Sequence, residues 1–242
     1  MTENPLIYDT PAAMAAGLAS RLVADLFDGR PHHIAVSGGS TPRALFQALA
    51  KEAHRDWSHI HLYWVDERCV APDHADSNYR MTHETLLAHV PIPETNVHRM
   101  RGEAEPELEA RRYSYLLDEI LPKVAGLPVF DFVLLGMGAD GHTASIFPGN
   151  LGLFDMPADV ADTCRTAVHP ESGQRRVTLT GQVINHSQVI IFHVTGADKA
   201  DKVKGILTRQ PGAEVYPAAH VQAAHPEGKL IWYLDQAAAS QL

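Results

Sequence analysis

The residues best suited to chemistry lie in the stretch Gly136-Met-Gly-Ala-Asp-Gly-His142, where Asp140 and His142 are the only titratable side chains. An imidazole changes charge close to neutrality, so an acid and a histidine held together can take up and return a proton. Gly136, Gly138 and Gly141 remove side chains where the backbone must bend or approach a ligand. The same glycines match the G-x-G-x-x-G dinucleotide fingerprint, with Asp159 and Asp162 about where a ribose-binding acid is sought. Against that reading, Asp140 would aim a carboxylate at a pyrophosphate, and Gly149, Gly152 and Pro157 leave little room for a long helix. A plain tight turn is the bland alternative, and an acid–base site is the reading carried forward.

Three other segments carry polar groups in a similar setting. Gly38-Gly39-Ser40-Thr41-Pro42 precedes the helical run Ala44 to Ala50. Thr41 suits a helix N-cap and Pro42 the first helical position, so backbone N–H groups face the glycines. With the hydroxyls of Ser40 and Thr41 this is an anion site without the lysine of a Walker A loop; a capped helix start with no ligand is the alternative. Asp66-Glu67-Arg68 closes the apolar run His59 to Val65, and three charges there are costly unless solvated or used on a ligand. Lys199 follows Gly196 at the start of a helix, where the dipole favours acids, and a bound anion would account for it; a solvated lysine is the alternative.

The elements that must position these groups can be read along the chain. Phe130 to Leu135 is a short apolar run of the buried-strand type, and so are His33 to Ser37, His59 to Val65, Gln188 to Thr195 and Lys229 to Leu234. Leu6 to Asp9 is an edge segment, and Asp235 starts a short tail. Helices are expected over Pro11 to Phe27, from a cap at Ser77 or Asn78 through His89, and over Ala200 to Leu207. Another runs from Pro106 to Lys123 with Leu108, Tyr115, Leu116 and Ile120 on its apolar face. Asp155 to Gly173 reads as a polar stretch, and Arg175 to Thr180 leads into a helix ending at Asn185. Alternating strands and helices predict one α/β domain over 1–242 with a parallel sheet. The strand ends of such a sheet share one edge, which brings Ser40, Asp66, Arg68, Asp140, His142 and Lys199 together.

With 45% hydrophobic and 20% charged residues, the chain has an ordinary globular composition. Its formal charge of −9 argues against nucleic acid and anionic membranes as partners, so any anionic ligand needs a local cluster of cations. Cys69 and Cys164 form no metal-ligand spacing, and the 15 histidines show no H-E-x-x-H. Most of them, such as His54, His74 and His225, read as surface or satisfied core imidazoles. No signal region opens the chain and no run of about 18 apolar residues occurs, so cytoplasmic residence is expected.

The segments Ser37-Gly-Gly-Ser-Thr-Pro42, Trp64-Val-Asp-Glu-Arg68 with Ser77-Asn78, Gly136 to Pro148, Arg176-Val-Thr-Leu-Thr180 and Gly196-x-x-Lys199 together resemble the 6-phosphogluconolactonase family. The resemblance runs in order over nearly the whole chain. It implies a three-layer αβα sandwich with a mainly parallel, Rossmann-like sheet, of the glucosamine-6-phosphate deaminase / ribose-5-phosphate isomerase type. It also implies hydrolysis of 6-phospho-D-glucono-1,5-lactone, the second step of the oxidative pentose phosphate pathway. His142 would be the general base, and Asp140 would orient its ring or contact substrate. Gly38, Gly39, Ser40, Thr41, Asp66, Arg176 and Lys199 would bind the substrate and its phosphate, and Arg68 would serve phosphate or carbonyl. Ser145 lacks a G-x-S-x-G setting and reads as a helix residue rather than a nucleophile. Neither cofactor nor metal is implied, and the partner is the small-molecule lactone, acted on by a monomer or weak homodimer. The related amino-sugar deaminases are the alternative, but they resemble Gly-x-Asp-Gly-His-Ile-Ala-Phe-Asn-Glu-Pro, whereas Phe147 precedes Pro148 here. A sugar-phosphate-binding regulator would keep Lys199 and Ser40 yet have no need of His142.

Overall fold

In the computed structural model, which describes residues 4–155 and 163–242, the apolar runs are the strands of one parallel sheet. Strands β1 (Leu6–Tyr8), β2 (His32–Val36), β3 (Ile60–Trp64), β4 (Asp66–Arg68) and β5 (Val97–His98) occupy the first part of the chain. The later strands are β6 (Lys123–Val124), β7 (Leu127–Pro128), β8 (Phe132–Leu135), β9 (Cys164–Val168), β10 (Arg175–Leu179), β11 (Val189–Val194) and β12 (Lys229–Asp235). Helices α1 (Pro11–Leu26), α2 (Ser40–Leu49), α3 (Asn78–Thr82), α4 (Pro106–Ile120), α5 (Gly181–Asn185) and α6 (Ala200–Leu207) lie between them. The main sheet has the order β1-β12-β11-β8-β2-β3-β5, with every neighbouring pair parallel.

The pleat divides each central strand between two cores, because successive side chains point to opposite faces. Ile34, Val36, Leu62, Trp64, Leu134 and Ile191 pack with Leu18 and Leu22 of α1 and with Leu45 and Phe46 of α2. Ala35, Tyr63, Val133, Leu135 and Phe192 face the other way, against Tyr113 and Leu117 of α4, Ile184 of α5 and Val203 of α6. The result is the expected α/β sandwich of three layers.

Four local readings are corrected. Inside the segment read as polar, Cys164–Val168 is β9, and it joins β10 and β4 in an antiparallel sheet of order β4-β10-β9. Asp66-Glu67-Arg68 is therefore a strand of this second sheet rather than a loose strand end. On α4 the buried stripe is Glu109, Ala110, Tyr113, Ser114 and Leu117, while Leu108 and Tyr115 are exposed. Hydropathy misplaced that face because its polar members are satisfied inside. Glu109 accepts from the Arg101 backbone and the Arg112 guanidinium, and Ser114 from the Cys164 backbone N–H. Asp235 is no tail residue; it ends β12, buried, and accepts from the backbone N–H groups of Gly196 and Ala238. In keeping with the rejection of the dinucleotide fingerprint, β8 runs into a chain of tight turns with no α-helix before β9 among the described residues. Asp159, Asp162 and Pro157 lie outside the described residues. Among those residues no helix is long and apolar enough to cross a membrane.

Candidate active site

All strands of the main sheet point the same way, so the segments after β2, β3, β8 and β11 meet at one edge. The first segment is held by Ser37, whose hydroxyl donates to the Leu134 carbonyl (2.8 Å) and accepts from the Gly136 N–H (3.4 Å). Gly38 leaves room for Asn78: a Cβ there would stand 1.8 Å from the Asn78 Oδ1. Gly39 has φ +109° and caps α2 with no side-chain hydrogen bond. The helix therefore starts at Ser40, earlier than the Thr41 cap read from sequence, and no side chain blocks its first N–H groups. The Thr41 hydroxyl meets that of Thr195 instead, at 2.9 Å, fastening α2 to the end of β11.

The second segment is β4. Its Asp66 carboxylate accepts from Ser145 Oγ (2.6 Å), and the Asn78 amide donates to the Asp66 carbonyl (2.9 Å). Arg176 pairs with Asp66 at 3.8 Å from β10, where it stands directly across the ladder from Arg68. Glu67 is buried and accepts from the N–H groups of Arg68, Asn78 and Tyr79, each at 2.8 Å, and from Ser77 Oγ. Burial pushes the Glu67 carboxyl up, and the three backbone N–H groups draw it part of the way back. Burial also lowers the Arg176 guanidinium from its ordinary value, opposed by Asp66. The Nε groups of Arg68 and Arg176 are both buried without a partner.

The third segment is the glycine loop after β8. Gly138 has no side chain because a Cβ would sit 2.2 Å from the His142 ring, and Gly141 turns the chain at φ +82°. Asp140 accepts from the His142 backbone N–H (3.1 Å) and meets the ring Nδ1 at 2.5 Å. Burial would raise the Asp140 carboxyl, but the hydrogen bonds and charge of His142 hold it below the usual value. An ionised carboxylate only accepts, so Nδ1 is the ring nitrogen that donates to it. Phe147 backs the ring, with centroids 4.9 Å apart. Ser145 lies in a tight turn bridged from Thr143 to Ile146, not in a helix, and is fully buried. Its N–H donates to Thr178 Oγ1 and its hydroxyl to Asp66, so it joins this loop to the second sheet.

From the fourth segment comes Lys199, at the cap of α6 and paired with the Asp198 carboxylate. That ion pair offsets part of its unfavourable place at a helix start.

These segments enclose a cleft of ≈ 220 Å³. Gly38, Gly39, Ser40, Thr41, Asp66, Arg68, His142, Arg176 and Lys199 all line it; Asp140, which meets the His142 ring, does not. Asn78, Thr195 and His193 also line it. Of these, His193 was legible only as a polar interruption of the apolar run Val189–Val194. In a chain of charge −9, three cations converge on one small space, and they share it with the open end of a helix. Among the described residues no group of His, Cys, Asp or Glu has the arrangement of a metal site.

Comparison with known proteins then identifies the lineage. The model of the family described as glucosamine-6-phosphate isomerases/6-phosphogluconolactonase matches residues 9–232. The chain belongs to this family. Within it, the 6-phosphogluconolactonase of Haemophilus influenzae is 42% identical over 211 residues, covering 86% of either chain. That of Aggregatibacter actinomycetemcomitans is 40% identical over 99% of this chain and 100% of its own length. A crystal structure of the devB protein is 43% identical, superposes with a TM-score of 0.91 and covers 100% of both chains. Such relatives make the enzyme class of this family member that of the 6-phosphogluconolactonases.

Proposed function

We propose that the chain hydrolyses 6-phospho-D-glucono-1,5-lactone to 6-phosphogluconate, in the second step of the oxidative pentose phosphate pathway, with His142 as the general base. The observation that carries this reading is the Asp140–His142 pair. It fixes a proton on Nδ1 and leaves Nε2 as a base on the wall of a cation-lined cleft. Water loses a proton to Nε2 as its oxygen bonds to C1. The tetrahedral intermediate then collapses, the C1–ring oxygen bond breaks, and the imidazolium returns the proton to the departing oxygen. The new acid ionises to the carboxylate.

The substrate phosphate carries close to two negative charges and needs cationic or helix-end donors. The start of α2, Ser40, Thr41 and Lys199 supply them, and Arg68 and Arg176 each offer an Nε–H that has no protein partner. One guanidinium serves the phosphate, and Arg68 or the N–H groups of the glycine loop take the charge that develops on the carbonyl oxygen. Fixing the phosphate remotely orients the lactone carbonyl at His142. Asp66 positions Arg176.

The test is lactone hydrolysis by wild type and His142→Ala, with substrate generated in situ, spontaneous hydrolysis subtracted and glucosamine 6-phosphate run in parallel. A loss of about two orders of magnitude or more with product binding retained supports the mechanism. An undiminished mutant overturns it, and ammonia release from the amino sugar replaces the lactonase with a deaminase.

A further inference from the structure

One ionisable side chain on the cleft has no part in the mechanism above. His193, next to last in β11, is 1% exposed, lines the cleft, and has no hydrogen-bond partner on either ring nitrogen. It stands in register with Tyr233 and follows the apolar run Val189–Phe192. A buried imidazole with two unfilled polar atoms needs a reason, since such groups in folded proteins are almost always paired.

The pleat supplies the direction. His193 shares a sheet face with Ile191, which packs in the same core as Leu45 and Phe46 of α2, and with Thr195, whose hydroxyl meets Thr41 in the first turn of α2. The ring thus lies on the side of the sheet where the uncapped start of α2 opens into the cleft. The ionisable groups of the neighbouring segments are already engaged. Asp235 of β12 accepts from Gly196 and Ala238, and Lys199 pairs with Asp198. Burial alone lowers the imidazole to about 4, so without ligand it is neutral at pH 7, with one donor and one acceptor.

We propose that His193 is a phosphate-binding residue, donating a ring N–H to the substrate's phosphate from the sheet side while α2 donates from the other. The inference rests on the lactonase reading of the cleft and adds the residue that closes the phosphate site from below. No bond is made or broken; the ligand supplies the acceptor that the fold withholds.

The experiment follows the imidazole nitrogens of ¹⁵N-labelled wild-type enzyme by NMR, with His193 assigned from its absence in His193→Gln and His193→Phe. 6-Phosphogluconate, inorganic phosphate and gluconate are then titrated in separately, and affinities measured by calorimetry. His193 is expected to shift with both phosphorylated probes and not with gluconate. His193→Phe should weaken 6-phosphogluconate by about tenfold or more, with the loss larger in KM than in kcat, and His193→Gln, which keeps a donor, should recover most of it. A His193 signal unmoved at saturating 6-phosphogluconate overturns the inference and leaves the lactonase reading intact. So does wild-type affinity in His193→Phe. If wild type binds 6-phosphogluconate no more tightly than gluconate, the phosphate reading of the cleft fails and this inference with it. Should the Phe variant not fold, the wild-type spectra decide alone.

Discussion

Ser145 and Asp66 are 79 positions apart in the chain and meet through a 2.6 Å hydrogen bond in the interior. The bond ties the glycine loop, which carries His142, to the strand that carries Arg68. It also fixes the carboxylate on which Arg176 leans at 3.8 Å. Ser145→Ala leaves Asp66 short of a donor in a buried setting, at a cost of about 1–3 kcal/mol in unfolding free energy. Chemical denaturation should show that loss, and kcat/KM of the folded variant should fall by about tenfold. Wild-type kinetics in Ser145→Ala would mean that the two loops are held in register without this bond.

Asp140→Asn tests the tautomer. The amide can donate to Nδ1, which would move the ring proton to Nε2 and remove the base. Both His142 contacts fall on Oδ1, so an amide that turns its NH2 to the ring gives up the bond to the His142 N–H, at a cost to the turn of about 1 kcal/mol. A fall in kcat of about two orders of magnitude or more is expected, with 6-phosphogluconate affinity little changed. The pH dependence has a definite sign. The Asp140 carboxyl lies below its ordinary value in the fold, so its stabilising contact is complete above about pH 4 and is lost as pH falls through the lowered value. Activity controlled by the pair should therefore decline only in strongly acid solution in so far as Asp140 decides it, and a carboxyl of ordinary pKa by NMR titration would refute the argument.

Gly38 and Asn78 form a second coupled pair. Gly38→Ala places a methyl group 1.8 Å from the Asn78 Oδ1 and forces that side chain off Asp66. The single variant should lose about 1–3 kcal/mol of stability and much of its activity. In the Asn78→Ala background the same change should cost far less stability, so the double-mutant cycle is expected to be strongly non-additive. Additive behaviour would show that the glycine is needed for another reason.

Acid should also weaken the fold from the opposite end of the sheet. His33 is lowered to about 4, first by burial and then by the charge of His61, and it hydrogen-bonds Tyr63 at 3.0 Å. His98, lowered to about 4 chiefly by burial, stacks on Tyr63. The folded values lie below the ordinary one near 6.5. The unfolded chain therefore takes up protons first, and stability falls as pH drops from about 6.5 towards 4. Urea unfolding at pH 7, 5.5 and 4.5 measures the slope, which His33→Gln should reduce. An unchanged slope in that variant would remove His33 from the account.

The sequence by itself determined the architecture and most of the site. Apolar runs such as Phe132–Leu135 and Val189–Val194 can be buried on both faces only in a parallel sheet with helices on either side. Such a sheet puts whatever follows its strands at one edge, so Ser40, Asp66, His142 and Lys199 were destined to meet. What the sequence concealed were the relations that depend on distant partners. The buried face of α4 was misplaced because nothing local reveals that Ser114 meets the Cys164 backbone or that Glu109 meets that of Arg101. Ser145 read as a helix residue because its acceptor lies on another strand, and β9 was hidden in a polar stretch that gains strand character only by pairing with β10. His193 was a polar letter in an apolar run until the pleat set it beneath α2. Local periodicity fixes which way a chain alternates, but the satisfaction of a buried polar group is a property of the packed neighbours, and only the tertiary structure decides who those are.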